Sequence, residues 1–249
     1  MLNEERYQLI QEIISERNTV TVAELARELK TSESTIRRDL TALDELGKIR
    51  KFFGGATAIK QSEGLHEDAV SVKEAVMSEE KTAIAKYAAT LINDGDFVYI
   101  DAGTTTSRLV DFISNDKATY ITNGITHARK LIHKGLNAYI IGGKVKNLTE
   151  AIIGAEGLNS LRNFNFTKAF MGVNGIDISC GFTTPDIEEA MIKEAAVKKS
   201  YTAFVLADRT KFRRVFPVTF APLETCCIIT DFLADLEFTK KTVIKEVEK

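Results

Sequence analysis

The chain has little of what marks linker-rich, disulfide-bonded or membrane-bound proteins. With only three prolines in 249 residues, long proline-rich connections are excluded and the whole length is expected to fold. No stretch of about 18 uninterrupted apolar residues occurs. The N-terminus, MLNEERYQLI, lacks a charged-then-apolar leader pattern, so a cytoplasmic protein is expected. Three cysteines, Cys180, Cys226 and Cys227, are an odd number, and two of them are adjacent inside an apolar run. That argues against a disulfide framework and for buried thiols. Charge of one sign is also missing, because a formal net charge of −2 carries none of the global basicity of a strong nonspecific nucleic-acid binder. Any DNA site must therefore be local.

Several catalytic and cofactor motifs are absent as well. Neither G-x-G-x-x-G nor G-x-x-x-x-G-K-[ST] is present, which removes support for dinucleotide binding and P-loop chemistry. G-x-S-x-G and H-E-x-x-H are missing too. The histidines His66, His127 and His133 form no ligand set with the cysteines, and His127 and His133 are six residues apart, so they do not share a helix face. Surface or packing roles are expected for them, with no metal and no cofactor.

What is present divides the chain. Its length suits two domains, one near 60 and one near 180 residues. In the first sixty, Lys/Arg and Asp/Glu balance at ten each, but Arg27 to Lys60 hold eight basic residues against five acidic. Asn3 suits an N-cap, and Leu9, Ile10, Ile13 and Ile14 follow with helical spacing up to Arg17-Asn18. Thr21-Val22-Ala23-Glu24 has the form of a capping box, with Val20 and Leu25 in the positions of a hydrophobic staple, so a second helix starts at Thr21 and ends near Lys30. After Thr31-Ser32 a third helix carries the stripe Ile36, Leu40, Leu43 and Leu46, and Gly47 stops it.

Two short helices joined by a tight turn, at about residues 20–39, predict a helix-turn-helix whose second helix enters the major groove. At 100° per residue Ser34, Arg38 and Thr41 fall opposite the apolar stripe, with Arg37 on its flank. Arginine suits guanine or phosphate, and the hydroxyls suit phosphate or base edges. Lys48 to Phe53, then Gly54-Gly55, then Ala56 to Ile59 read as a hairpin turning on two glycines. This is a wing, with Lys48, Arg50 and Lys51 placed to follow phosphates. On spacing alone an Arg-Arg pair on a helix is equally a solvated face. The wording goes further: Val22-Ala23-Glu24-Leu25-Ala26, Ser34-Thr35-Ile36-Arg37-Arg38-Asp39-Leu40, Gly47-Lys48-Ile49-Arg50 and Gly54-Gly55-Ala56 closely resemble the DeoR family of bacterial regulators. The resemblance adds Thr35 to the DNA-facing set. That family usually has histidine before the two glycines, where this chain has Phe53.

Residues 60–76 are polar and charge-mixed, which suits a linker between a 1–59 winged helix-turn-helix and a 77–249 domain. Lys81 to Leu91 reads as a helix. Beyond it, Phe97–Ile100, Thr119–Thr122, Ala138–Ile141, Ala169–Val173, Ala203–Ala207 and Cys227–Thr230 read as strands of an α/β, mainly parallel, Rossmann-like sheet. Ligands of such sheets bind beyond the carboxyl ends of the strands. The first strand runs into Asp101-Ala102-Gly103-Thr104-Thr105-Thr106, with a helix from about Ser107, which suits an anion cradle. Later strand ends carry Asn123-Gly124, Gly142-Gly143-Lys144, Gly172-Val173-Asn174-Gly175 and Asp208-Arg209-Thr210-Lys211. Each alone reads equally well as a cap or turn. Together they predict a site for a phosphate-bearing polyol.

Asp-Ala-Gly-Thr-Thr-Thr, Thr122-Asn123, Met171-Gly172-Val173, Gly181-Phe182-Thr183-Thr184-Pro185-Asp186, Glu189 and Ala207-Asp208-Arg209-Thr210-Lys211-Phe212 resemble the DeoR effector domain. The resemblance implies a ribose-5-phosphate isomerase-like fold and a sugar-phosphate effector. On it, Thr104, Thr105 and Thr106 hold phosphate, and Lys193 or Lys211 adds charge. Asp101, Asn123, Asn174, Glu189 and Asp208 meet sugar hydroxyls beside Gly103, Gly142 and Gly143. An ordinary i,i+4 pair of Glu189 with Lys193 is the plainer alternative. The expected protein is not an enzyme but a homo-oligomeric repressor, dimer or tetramer, of a sugar operon. It binds double-stranded operator DNA and is released by a phosphorylated sugar, fructose 1-phosphate being the guess. The competing readings are a sugar-phosphate isomerase carrying an interaction module, with Glu188, Glu189, Asp101 or Asp208 as base, and an inert nucleoid-binding protein, which the acidic net charge disfavours.

Overall fold

The computed structural model describes residues 3–46, 48–58 and 76–248, and the chain divides into two units, Met1–Glu63 and Gly64–Lys249. Gly47, Ile59 and nearly all of the expected linker lie outside the described residues, as does any cap ahead of Asn3.

The smaller unit contains α1 (Asn3–Arg17), β1 (Thr19–Thr21), α2 (Val22–Glu28), α3 (Glu33–Glu45), β2 (Ile49–Phe52) and β3 (Gly55–Ala58). The capping box forms as its residue types dictate. The Thr21 hydroxyl accepts from Glu24 N (3.2 Å), and the Glu24 carboxylate accepts from Thr21 N (2.8 Å). Val20 and Leu25 are both buried, in one core with Ile10, Ile13, Ile14, Ile36, Leu40, Leu43 and Ile49. Leu46 instead stands 64% exposed, because the helix ends at Glu45 and Leu46 caps it. The hairpin turns on Phe53 and Gly54 rather than on the two glycines, and Gly55 already belongs to β3. Gly55 is needed there for space: a Cβ would sit 2.4 Å from the Val20 carbonyl oxygen. That close approach lets β1 pair antiparallel with β3, in the order β1-β3-β2.

The larger unit opens with α4 (Ser78–Ala89), three residues earlier than its apolar pattern indicates. It continues with β4 (Phe97–Ile100), α5 (Thr104–Phe112), β5 (Thr119–Thr122), α6 (Ile125–His133) and β6 (Asn137–Ile140). A hairpin follows, β7 (Lys144–Lys146) and β8 (Ala151–Ile153), then α7 (Ala155–Leu161), β9 (Phe166–Gly172), β10 (Gly175–Asp177) and β11 (Gly181–Thr184). The last elements are α8 (Ile187–Lys198), β12 (Ser200–Leu206), β13 (Val218–Ala221), β14 (Cys227–Thr230) and β15 (Ile244–Glu246). Seven strands form one sheet in the order β15-β14-β12-β9-β4-β5-β6, every pair parallel. Alternate residues feed two cores, as a pleat requires. Tyr99, Ile121, Ala169, Met171 and Val205 face α7 and α8. Val98, Ile100, Tyr120, Phe170 and Leu206 face α4, α5 and α6.

From β4 the chain first builds outward through β5 and β6, then returns to β9 on the other side and builds out through β12, β14 and β15. The order therefore reverses between β4 and β9. At such a switch point the loops diverge and leave a crevice. The antiparallel sheet β10-β11-β13 follows that end of β9, with Asn174 in the connection between β9 and β10 and α8 following β11.

Candidate functional site

On α3 the Ser32 hydroxyl caps the helix, accepting from Thr35 N (3.2 Å). It also shares hydrogen bonds with Ser34 Oγ (2.9 Å) and Thr35 Oγ1 (2.8 Å). Arg37 pairs with Glu33 one turn back (2.7 Å), and both stand in solvent. Arg38 is exposed, as are Lys48, just ahead of β2, and Arg50 on it. Thr41 donates to the Arg37 carbonyl (2.8 Å) and accepts from Lys51 Nζ (2.6 Å), while Lys51 N donates to the Asp44 carboxylate (2.9 Å). The wing is thus tied to the helix beside it. Phe53, fully exposed, occupies the wing tip. One charged residue of α3 lies on the opposite, buried side, a placement the sequence reading did not draw out. Asp39 is buried and takes a two-pronged pair from Arg6 of α1 (2.5 and 3.0 Å). Its position three residues after Ile36 put it on the apolar side, where a carboxylate needs a cation.

The larger unit holds a cavity of about 260 Å³ over the ends of β4 and β9. Of the residues expected there, Gly103, Thr104, Thr105, Asn174, Glu189, Lys193 and Lys211 line it. The helix α5 starts at Thr104, not at Ser107, so the three threonines form its first turn, behind Gly103 as a cap without a side chain. Backbone N–H groups at a helix start together with threonine hydroxyls favour an anion. Thr106 points the other way: its hydroxyl donates to the Asp101 carbonyl (2.6 Å), which leaves His127 Nε2–H as donor to it (3.1 Å). Gly124 makes room for that ring, since a Cβ would fall 2.4 Å from His127 Nδ1. Burial, reinforced by Lys130, holds the imidazole neutral, down to about 4.

Lys193 does not pair with Glu189. It reaches across the switch point to the Asp101 carboxylate and to the Gly172 carbonyl (3.1 Å), and Gly172 N donates back to Asp101 (2.9 Å). The tertiary pairing wins over the i,i+4 neighbour because Asp101 is 1% exposed and would otherwise be a buried, uncompensated charge. Burial nevertheless pushes the Asp101 carboxyl above its ordinary value, with Lys193 opposing. Glu189 takes Lys146 Nζ (3.1 Å) and Thr149 Oγ1 (2.9 Å) from the β7–β8 hairpin.

Several expected residues serve the wall rather than the cavity. Asn123 accepts from Ala102 N (2.7 Å) and so fixes the β4 loop. Asp208 accepts from Thr210 N (3.0 Å), and its Oδ2 is buried with no hydrogen-bond partner among the described residues. Gly142 and Gly143 do not line the cavity. Gly143, at φ 145°, lets the chain turn tightly against Ile152 and Gly157. The sequence reading did not single out Lys81, Ser107, Thr126, Glu150 or Arg214, all of which line it. Four basic side chains (Lys81, Lys193, Lys211, Arg214) meet two acidic ones (Glu150, Glu189) on the walls, so the lining carries excess positive charge. Among the described residues no cluster of His, Cys, Asp and Glu suits a metal ion, and no helix is long and apolar enough to cross a membrane.

Residues 6–62 match the DeoR-like helix-turn-helix domain and residues 76–232 the DeoR C terminal sensor domain. The chain is 40% identical to the "Uncharacterized HTH-type transcriptional regulator FruR" of Bacillus subtilis, covering 100% of both chains. It is 32% identical to a lactose phosphotransferase system repressor of Staphylococcus epidermidis, over 91% of each. Among solved structures, ribose 5-phosphate isomerase A of Methanocaldococcus jannaschii is similar over 54% of each chain, at 13% identity and a TM-score of 0.41.

Proposed function

The chain belongs to the DeoR family of DNA-binding transcription regulators, and from that membership we propose that it represses a sugar-uptake or sugar-catabolism operon and is released by a phosphorylated sugar. The observation that carries this reading is the switch-point cavity. Its helix start, threonine hydroxyls and basic lining suit a phosphate, and Asn174, Glu189 and Glu150, which also line it, suit sugar hydroxyls.

The phosphate would rest against the Thr104 and Thr105 amides and hydroxyls, with Lys211 adding charge. Gly103 allows the close approach. Asp101 and Lys193 hold the two central strands at the right spacing, Lys193 also lining the wall, while Thr106, Asn123 and Asp208 keep the loops in place. Fructose 1-phosphate is the effector put forward, in keeping with the full-length relative named FruR. On DNA, Ser34, Thr35, Arg37, Arg38 and Thr41 would face the major groove, and Lys48, Arg50 and Lys51 the phosphates, with Phe53 at the wing tip against the duplex edge. Two recognition helices on a two-fold operator require a homo-oligomer, a dimer or tetramer, working in the cytoplasm. The effector acts by favouring the conformers that fit operator poorly, to the extent that it binds them better.

Fluorescence anisotropy of a duplex from upstream of the protein's own gene, challenged with phosphorylated sugars, tests the reading. Competitor-resistant binding released by one sugar phosphate supports it. Absence of specific binding, together with turnover of a sugar phosphate, sinks it in favour of an isomerase.

A further inference from the structure

The wing of the smaller unit ends in two consecutive phenylalanines with opposite placements. Phe52, the last residue of β2, folds back over the sheet, its ring tip 2.9 Å from where a Cβ of Gly55 would stand. Phe53, the first residue of the turn, is the most exposed large apolar side chain among the described residues. Single apolar side chains in water are common on protein surfaces. This one is set apart by its mounting and by its neighbours.

The turn is held from both sides. Gly54, at φ 91°, takes the left-handed position that a side chain disfavours, and its carbonyl accepts from Val22 N (2.9 Å), the first amide of α2. A helix start leaves that amide without an intrahelical partner, so turn and helix satisfy each other. On the β2 side, Lys51 N donates to Asp44 and Lys51 Nζ to Thr41, both of α3. Phe53 therefore stands on a rigid mount, two residues or ~7 Å of strand beyond the tether to the recognition helix. Lys48 and Arg50, close to it in the chain, are exposed cations. An apolar tip among cations suits a duplex, whose phosphates draw the charges while its base stack offers the apolar contact.

We propose that Phe53 is a specificity-determining residue of the DNA interface, an apolar wedge that enters the minor groove beside the major-groove segment facing α3 and partly unstacks one base step there. This rests on the operator-binding reading of the smaller unit. The minor groove, ~6 Å wide, excludes the hairpin but admits one flat ring, and it lies one phosphate strand away from the groove that α3 occupies. The ring makes no hydrogen bond and so reads no base edge. It reads how readily the step opens, which favours pyrimidine–purine steps such as TA and CA over stiff A-tracts. Because the turn is fixed before DNA arrives, insertion spends little ordering entropy. The wedge thus adds selectivity at a step that no polar side chain has to touch.

The test uses the full chain and the duplex from upstream of its own gene, trimmed to the segment that the wild-type chain protects, with 2-aminopurine placed at successive positions. The wild-type chain should raise 2-aminopurine emission at one pyrimidine–purine step per half-site, and replacing that step by an A-tract should weaken binding by about 3- to 10-fold. Phe53→Ala should weaken binding to the unaltered duplex by about 10- to 100-fold. The same variant should lose the emission change, become indifferent to the A-tract, and keep the wild-type slope of log affinity against log salt, since no charge is removed. Phe53→Leu, another apolar wedge, should recover much of the affinity. Binding by Phe53→Ala within about twofold of wild type, or no step brightened by the wild-type chain, overturns the wedge and leaves the operator reading standing. A loss in Phe53→Ala that comes with a flatter salt slope overturns it too, because a phosphate contact then accounts for the loss. The emission measurement needs no variant, so a misfolded Phe53→Ala does not blunt the test. No specific binding by the wild-type chain overturns the operator reading, and the inference with it.

Discussion

Arg37, Arg38, Lys48 and Arg50 on the proposed DNA face stand in water, with one i,i+4 pair as their ion pairing among the described residues. Asp101, Lys193, Glu189 and His127 around the cavity are nearly inaccessible, and each is fixed by a specific partner. The solvent-exposed set contributes little to stability, since exposed pairs give about 0–1 kcal/mol, and is therefore able to meet phosphates and bases. The buried set is costly to disturb, and its positions are defined before any ligand arrives. A recognition face that must slide and search profits from loose charges, and a cavity that must discriminate one small molecule profits from fixed ones.

The largest expected effect breaks the buried side. Lys193→Met leaves Asp101 without its cation and should destabilise the larger unit by about 3–5 kcal/mol, measured by denaturant unfolding. Asp101→Asn combined with Lys193→Met should recover part of that loss, and a double variant as unstable as the sum of its parts would show that the pair is not coupled. Next comes His127. Its folded value lies near 4, below the ordinary 6.5. Below pH 6.5 the unfolded chain therefore takes up a proton that the folded chain refuses until about pH 4. Stability is full above pH 6.5 and falls as pH drops through that window, by about 3 kcal/mol at most. His127→Gln should flatten this part of the pH profile, and an unchanged profile would place the acid sensitivity elsewhere.

On the exposed side, Arg38→Ala should weaken operator binding by about 1–3 kcal/mol if it reads a base, with no change in melting temperature. Altered stability would show that the residue is not the free surface group described. The smallest effect belongs to Lys51→Ala, which should lower the slope of log affinity against log salt by about 1. A slope equal to wild type would confine Lys51 to its tether on Thr41.

Much of this contrast was legible in the chain itself, but unevenly. Local chemistry fixed the capping box at Thr21, the stripe Ile36, Leu40, Leu43 and six strands of the large sheet, because each depends on residues within one or two turns. Elements that depend on distant partners escaped. β1 exists only because Gly55 lets it approach β3, and β15, with Lys245 and Glu246 exposed at a sheet edge, has no apolar run to betray it. In the site, Thr104 to Thr106 were readable as a helix start at a strand end. The Lys193–Asp101 pair spans 92 residues of sequence, whereas Glu189 four residues away offered a nearer but wrong partner. Lys81 carries no motif, and only the fold brings it to the cavity.

The reversal of strand order between β4 and β9 also sets a timetable. β4 pairs with β9 across about seventy residues, Val98 against Lys168, whereas every pairing in the smaller unit closes within its first 58 residues. Synthesis delivers the N-terminal residues first, and short-range pairings close faster than long-range ones. On the ribosome the DNA-reading head is thus complete while the sheet that senses the sugar still lacks half its centre. The fold that reads DNA is in place before the fold that governs it.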